Sequence, residues 1–131
     1  MFICVDFDGT IVDHRFPELG EPVPDAIKWL KRLHKCGARL ILYTMRSDGG
    51  FTGDVLTDAV RYLEEQGVSL YGVNHNPNQQ DWTTSPKVYA DLYIDDAAFG
   101  CPLIRPAGFA RPCVDWRKVG PAVEHICLSR R

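Results

Sequence analysis

The sequence predicts an α/β fold, a mainly parallel sheet of about five short strands with helices on both faces. Two observations predict it. Short apolar runs rich in β-formers alternate along the chain with longer segments whose apolar residues recur at helical spacing. The strand-like runs are apolar throughout, as expected of strands buried inside a parallel sheet. With 131 residues, 45% hydrophobic and 24% charged, the chain reads as one soluble globular domain over 1–131.

Phe2–Val5 is the first strand. Pro22 and Pro24 precede a helix over about Asp25–Cys36, with Ala26, Leu30 and Leu33 on one face and Gly37 closing it. Arg39–Tyr43 is the second strand. Thr52 and Asp54 can cap a helix in which Leu56, Ala59, Val60 and Leu63 repeat at i, i+3, i+4 and i+7, ending at Gly67. Leu70–Val73 is the third strand, and Ser85-Pro86 suits the start of a short helical turn. Asp91–Ile94 is the fourth strand, and a Pro/Gly-rich passage over 100–112 holds a fifth around Leu103-Ile104. Trp116–Leu128 closes the chain as a helix with Val119, Val123, Ile126 and Cys127 facing inward. The whole describes a Rossmann-like three-layer α/β/α sandwich. Ligands of such sheets sit beyond the carboxyl ends of the strands, near a topological switch point.

Composition narrows the partners. A net charge of −2, with no basic cluster beyond Arg130-Arg131, disfavours nucleic acid as a bulk partner. The four-residue apolar run at Phe2–Val5, followed at once by Asp6, reads as neither a signal peptide nor a membrane span. Five cysteines without CxxC spacing suggest reduced thiols in a cytoplasm rather than a disulfide framework or zinc site.

Chemistry-bearing residues follow the strands. Asp6 and Asp8 come after the first, with Gly9 allowing a tight departure. Thr44, Met45 and Arg46 come after the second, Lys87 after the third, and Asp95 and Asp96 after the fourth. Carboxylates crowded at one rim raise each other's pKa unless a cation neutralises them. A hard divalent ion suits oxygen ligands, and Mg2+ leaves positions for water or phosphate oxygens. Lys87 and the Thr44 hydroxyl can hold phosphoryl oxygens as negative charge spreads over them. One carboxylate can attack phosphorus, and a second, two residues on, can protonate the leaving oxygen and then activate water.

In this order the residues resemble the motifs of the haloacid dehalogenase superfamily, over about residues 2 to 100. VDFDGT at 5–10 resembles its first motif, LILYT ending in Thr44 its second, Lys87 its third and YIDD at 93–96 its fourth. The resemblance implies a Mg2+-dependent phosphatase with Asp6 as nucleophile and metal ligand. Asp8 would be the acid/base, binding the metal through its backbone carbonyl. Asp95 would be a further ligand and Asp96 a secondary or water-mediated one. Thr44 and Lys87 would face phosphate, and Met45 and Arg46, next along the chain from Thr44, are further candidate phosphate contacts. An aspartate at position 8 suits phosphatases rather than dehalogenases, which lack it. A receiver domain, which carries its accepting aspartate after strand three, is excluded because Asn74 stands there.

Superfamily members often carry an inserted cap. Here 11–23 has room only for a flap hairpin and 74–86 is equally short, so no cap domain is expected. An open site admits large substrates, or relies on homo-oligomerisation to cover it. His14 and Arg15 on the flap, Arg46 in the glycine-rich 46–53 loop and Trp82 in the polar 74–85 loop are the side chains that could frame a substrate. The leading expectation is hydrolysis of a small phosphorylated metabolite, a sugar phosphate or nucleotide. A phosphoprotein phosphatase and a catalytically weak phosphate-binding module are the alternatives.

Overall fold

A computed structural model of the chain describes residues 1–130. The elements run β1 (Phe2–Val5), α1 (Ala26–Lys35), β2 (Arg39–Leu42), α2 (Val55–Glu65), β3 (Gly72–Val73), β4 (Leu92–Ile94), β5 (Leu103–Ile104), β6 (Cys113–Val114) and α3 (Trp116–Ser129). Four strands form one parallel sheet in the order β3-β2-β1-β4. The register sets Val5 beside Leu42 on one side and Ile94 on the other. The chain is thus α/β with a parallel sheet, and its first four strands lie within the predicted segments.

The fifth strand is not part of that sheet. Leu103-Ile104 pairs antiparallel with Cys113-Val114 in a separate ribbon. The stretch between them, which holds Pro106 and Pro112, turns the chain back on itself.

The layering also differs from a sandwich with helices on both faces. Ile3, Val5, Leu40, Leu42 and Ile94 share one core with Ala26, Trp29, Leu30 and Leu33 of α1, Ala59 and Leu63 of α2, and Val119, Val123 and Cys127 of α3. All three helices therefore cover one face. The opposite face, carrying Cys4 and Ile41, packs against Val88 with Phe2, Tyr71 and Ala90 at its margin. The cover there is the irregular 74–91 segment, which holds Pro77 and Pro86 and shows no 3.6-residue apolar period. Ser85 accepts a bond from the Lys87 amide at 3.2 Å, yet Pro86-Lys87 only bends, and the expected helical turn is absent.

Two local details position the site. The N-terminus of α2 is capped from the preceding loop. Asp48 Oδ1 accepts from the amides of Leu56 and Thr57 at 2.9 Å each, and Asp54 makes no side-chain cap. The α1–α3 contact is close: a Cβ at Gly120 would run into the Trp29 indole. No disulfide forms among the described residues.

Candidate active site

The order β3-β2-β1-β4 reverses direction between β1 and β4, which makes that junction the topological switch point. Asp6 stands there. Its amide donates to the Ile94 carbonyl at 3.0 Å, while the Tyr43 amide donates to the Val5 carbonyl at 2.9 Å. The ladder thus continues one rung past the strands on both sides and fixes Asp6 among Tyr43, Thr44 and Asp95.

Asp6, Asp95 and Asp96 converge, each offering a carboxylate oxygen within 4.8 Å of the others. Burial, then the Asp95 carboxylate, then Asp96 push Asp6 up to about 8. Burial and, on the charge side, Asp96 raise Asp95 as well. Three acidic oxygen donors in one small, partly buried space are a suitable set for a hard divalent cation.

The loop leaving β1 is built around this cluster. The Thr10 hydroxyl donates to Asp6 Oδ2 at 3.2 Å and accepts from the Asp96 amide at 3.3 Å, in a fully buried position. Gly9 adopts φ +85, and a Cβ there would collide with His14 and Asp96. The Trp116 indole N–H donates to the Thr10 carbonyl at 2.8 Å, tying the loop to the start of α3. His14 Nε2 lies 2.8 Å from Asp96 Oδ2. Asp13, buried at the flap base, accepts from the amides of His14 and Ala110 at 2.8 and 2.9 Å. Burial alone would raise the Asp13 pKa, but these amides and the nearby Arg15 outweigh it and hold the pKa below the usual value.

Asp8 does not join the acidic cluster. Its two oxygens receive Nε and Nη2 of Arg46, each at 2.8 Å. Arg46 is only 1% exposed. Its remaining donors reach the carbonyls of Pro17 and Val55 at 3.2 Å and Glu18 at 2.8 Å. The guanidinium sits 5.0 Å from the Phe7 ring centroid and 5.3 Å from that of Phe16. With all five N–H groups engaged by protein, Arg46 has nothing left to offer phosphate, which corrects the expectation of a phosphate contact. The expectation gave this side chain to phosphate, whereas its partner in the structure is Asp8.

The other expected phosphate residues are at the rim. The Thr44 amide donates to Asn74 Oδ1 at 2.8 Å, and its hydroxyl accepts from the Arg46 amide at 3.1 Å, leaving the hydroxyl proton to give. Met45 is 97% exposed, so its side chain offers phosphate nothing and only its backbone N–H could serve. Lys87 is exposed, with its ammonium 5.8 Å from the Tyr93 ring centroid, and it makes no ion pair with the carboxylates among the described residues. Arg15 leans on the flap base, 3.3 Å from Asp13.

Thr10, the His14–Asp96 pair and the Arg46–Asp8 pair are the features that sequence reasoning missed. Thr10 stood inside the first motif, directly after the glycine, and its position was the one available signal. The other two pairs join residues 82 and 38 positions apart, which spacing does not reveal.

Between β1 and α1 the only pairings among the described residues are isolated bridges, Asp8 with Val12 and Val12 with Pro22. Grooves of about 490 Å³ along α2 and β3, and about 480 Å³ between β4 and α3, do not include the carboxylates. The three carboxylates are themselves part-buried, the Asp96 side chain being 10% exposed. No helix is long and apolar enough to cross a membrane among the described residues.

No family model and no curated protein matches the chain. Among solved structures, a conserved protein coded by a locus of Bacteroides thetaiotaomicron is 35% identical. The match covers 96% of this chain and 91% of that one, with a TM-score of 0.72. At that identity and coverage, the chain belongs to the same family as this conserved Bacteroides protein.

Proposed function

We propose that the chain is a capless phosphatase of the haloacid dehalogenase type, a cytoplasmic enzyme hydrolysing phosphomonoesters of small metabolites. The observation that carries this reading is the convergence of Asp6, Asp95 and Asp96 at the switch point, with Asp8 held apart two residues on. Asp6, Asp95 and Asp96 would hold Mg2+ through their side chains, with the Asp8 backbone carbonyl as a further donor. Bound there, the ion would neutralise the carboxylates and draw charge from phosphoryl oxygens.

An Asp6 oxygen bonds to phosphorus as the ester P–O bond breaks. Asp8 gives its proton to the departing oxygen, so that an alcohol leaves. Water then bonds to phosphorus, the Asp6–phosphorus bond breaks, and Asp8 takes the proton that water loses. Lys87 and the Thr44 hydroxyl face the transferring group. For Lys87 this requires its ammonium to leave the Tyr93 ring when phosphate enters. Thr10 holds Asp6 in register during attack.

A phosphoprotein substrate is a second reading, favoured by the fully exposed Phe51 and Phe99 and by Met45 in the loops after β2 and β4. Phosphate release from p-nitrophenyl phosphate, a panel of phosphometabolites and phosphopeptides, with and without Mg2+, tests both readings. The expected result is metal-dependent turnover, fastest on metabolites and lost in Asp6→Asn. Turnover that survives Asp6→Asn would sink the mechanism, and binding without turnover would point to a phosphate-binding module.

A further inference from the structure

We infer that Arg46 is a positioning residue for proton transfer: it fixes the plane of the Asp8 carboxylate through a bidentate pair braced by the flap and the start of α2. The inference rests on the phosphatase reading and adds a role that the sequence had given to phosphate binding.

The geometry is unusually determined. A guanidinium has five N–H donors in a rigid fork, and here Asp8 takes two while Pro17, Glu18 and Val55 carbonyls take the rest. Three of these acceptors are backbone atoms from two separate segments, so the fork cannot turn without moving the flap or the first turn of α2. The aromatic rings of Phe7 and Phe16 bound it as well. Asp8 is half of this unit, and its side chain keeps 17% exposure against 1% for Arg46. The buried member therefore grips, and the exposed edge of the carboxylate faces the rim.

Each carboxylate oxygen carries two lone pairs, and the fork occupies one on each oxygen. The other lone pair on each remains for a substrate. A general acid works only when its proton lies within hydrogen-bond reach of the leaving oxygen. A free aspartate two residues from Asp6 could rotate toward the acidic cluster and become one more competing ligand there. The arginine prevents that rotation, which separates one carboxylate for phosphorus from one for protons.

This role has a kinetic signature that neither a phosphate contact nor a fold-stabilising pair shares. Protonating the leaving oxygen matters greatly for an alkyl phosphate and little for 2,4-dinitrophenyl phosphate, whose phenolate departs unaided. We therefore compare kcat and KM of wild type, Arg46→Gln and Arg46→Lys on both esters, with Asp8→Asn and the Asp8→Asn/Arg46→Gln pair. In Arg46→Gln, kcat/KM on the alkyl ester, which reports the step that expels the leaving group, is expected to fall about 100-fold, with a loss under about fivefold on the dinitrophenyl ester. The kcat values should fall on both esters, because Asp8 also takes the proton from water in the second step. In the Asp8→Asn background, Arg46→Gln should cost almost nothing further. Arg46→Lys keeps the charge but cannot span both oxygens, and it carries the same comparison if the glutamine variant fails to fold.

Equal losses of kcat/KM on the two esters, additive with Asp8→Asn, would overturn the inference in favour of a structural role. A uniform rise in KM on both would overturn it in favour of direct phosphate binding. A wild-type protein inactive even on the dinitrophenyl ester would overturn the phosphatase reading and this inference together, whereas activity with the wrong leaving-group pattern overturns the inference alone.

Discussion

Two carboxylates leave the same strand two residues apart, and their surroundings are opposite. Asp6 faces two more acids across less than 4.8 Å and has its pKa pushed up to about 8, first by burial and then by those neighbours. Asp8 faces a buried guanidinium that fills both its oxygens at 2.8 Å. The sheet alone does not separate them. The separation comes from Gly9, whose turn brings Asp96 and His14 against the Asp6 side, and from the flap, whose carbonyls hold Arg46 on the Asp8 side. One half of the motif is left short of positive charge and the other is fully supplied. Asp6 in that state adds nothing to stability, and in the proposed function this unbalanced half is where a cation and a phosphoryl group would sit.

The sharpest way to break the contrast is to remove the unbalanced charge. Asp6→Asn should lower phosphate release by at least about 1,000-fold, because it removes the proposed nucleophile. The same substitution should raise Tm in metal-free buffer above about pH 8, where it removes a charge that is both buried and repelled by Asp95 and Asp96. A protein that lost activity and stability together would show that Asp6 has a structural role outside the cluster. The wild type supplies a matching test by pH. The folded Asp6 value of about 8 lies above its ordinary 3.8, so the folded chain holds a proton that the unfolded chain has released between those values. Metal-free stability should therefore fall as pH rises from about 4 to about 8. Saturating Mg2+ should flatten that fall and raise Tm most at the alkaline end. A metal-free Tm that climbs over this range, or does not respond to Mg2+, would contradict the acidic cluster as a cation site.

The contrast was only half legible in the sequence. Asp6, Asp95 and Asp96 could be placed together because each follows an apolar strand, and strand ends of a parallel sheet share one rim. The three helices were legible from their periodicity for the same reason. The Arg46 pair was not. An arginine two residues after a strand-end threonine reads alike whether it meets phosphate or a buried carboxylate. Only the folded flap, with Pro17 and Glu18 carbonyls turned inward, decides between them. Layering failed for a different reason. Helices on both faces is a general rule of parallel sheets, whereas 74–91 is polar, proline-bearing and aperiodic, and it covers its face without a helix. Asp48 as the α2 cap was hidden because its partners, Leu56 and Thr57, lie eight and nine residues on, beyond the reach of any capping pattern.

A smaller change sharpens the acidic side. His14 Nε2 lies 2.8 Å from Asp96 Oδ2, with both side chains largely buried. A neighbour of this kind orients a ligand carboxylate, and removing such partners typically weakens metal binding 10- to 100-fold. His14→Ala should raise the Mg2+ concentration for half-maximal activity by about tenfold, with kcat at saturating metal nearly unchanged. A fall in kcat with no change in metal requirement would move His14 from the ligand set to the substrate.

The smallest effect concerns Thr10, which joins the Asp6 carboxylate to the Asp96 amide. Thr10 is fully buried, and its one hydroxyl both donates to Asp6 and accepts from the Asp96 amide. Valine keeps the shape and loses both bonds, and the Asp96 amide is left with no acceptor. The fold should lose about 1–2 kcal/mol, a few degrees in Tm. Activity should fall only about three- to tenfold, since Asp6 keeps its backbone bond to Ile94 and can still attack. Serine at the same position restores the hydroxyl without the methyl group. Recovery of kcat in Thr10→Ser, with Tm still below wild type, would assign the activity to the hydroxyl bridge and part of the stability to packing. If Thr10→Ser recovered neither, the bridge would not be what keeps Asp6 in line.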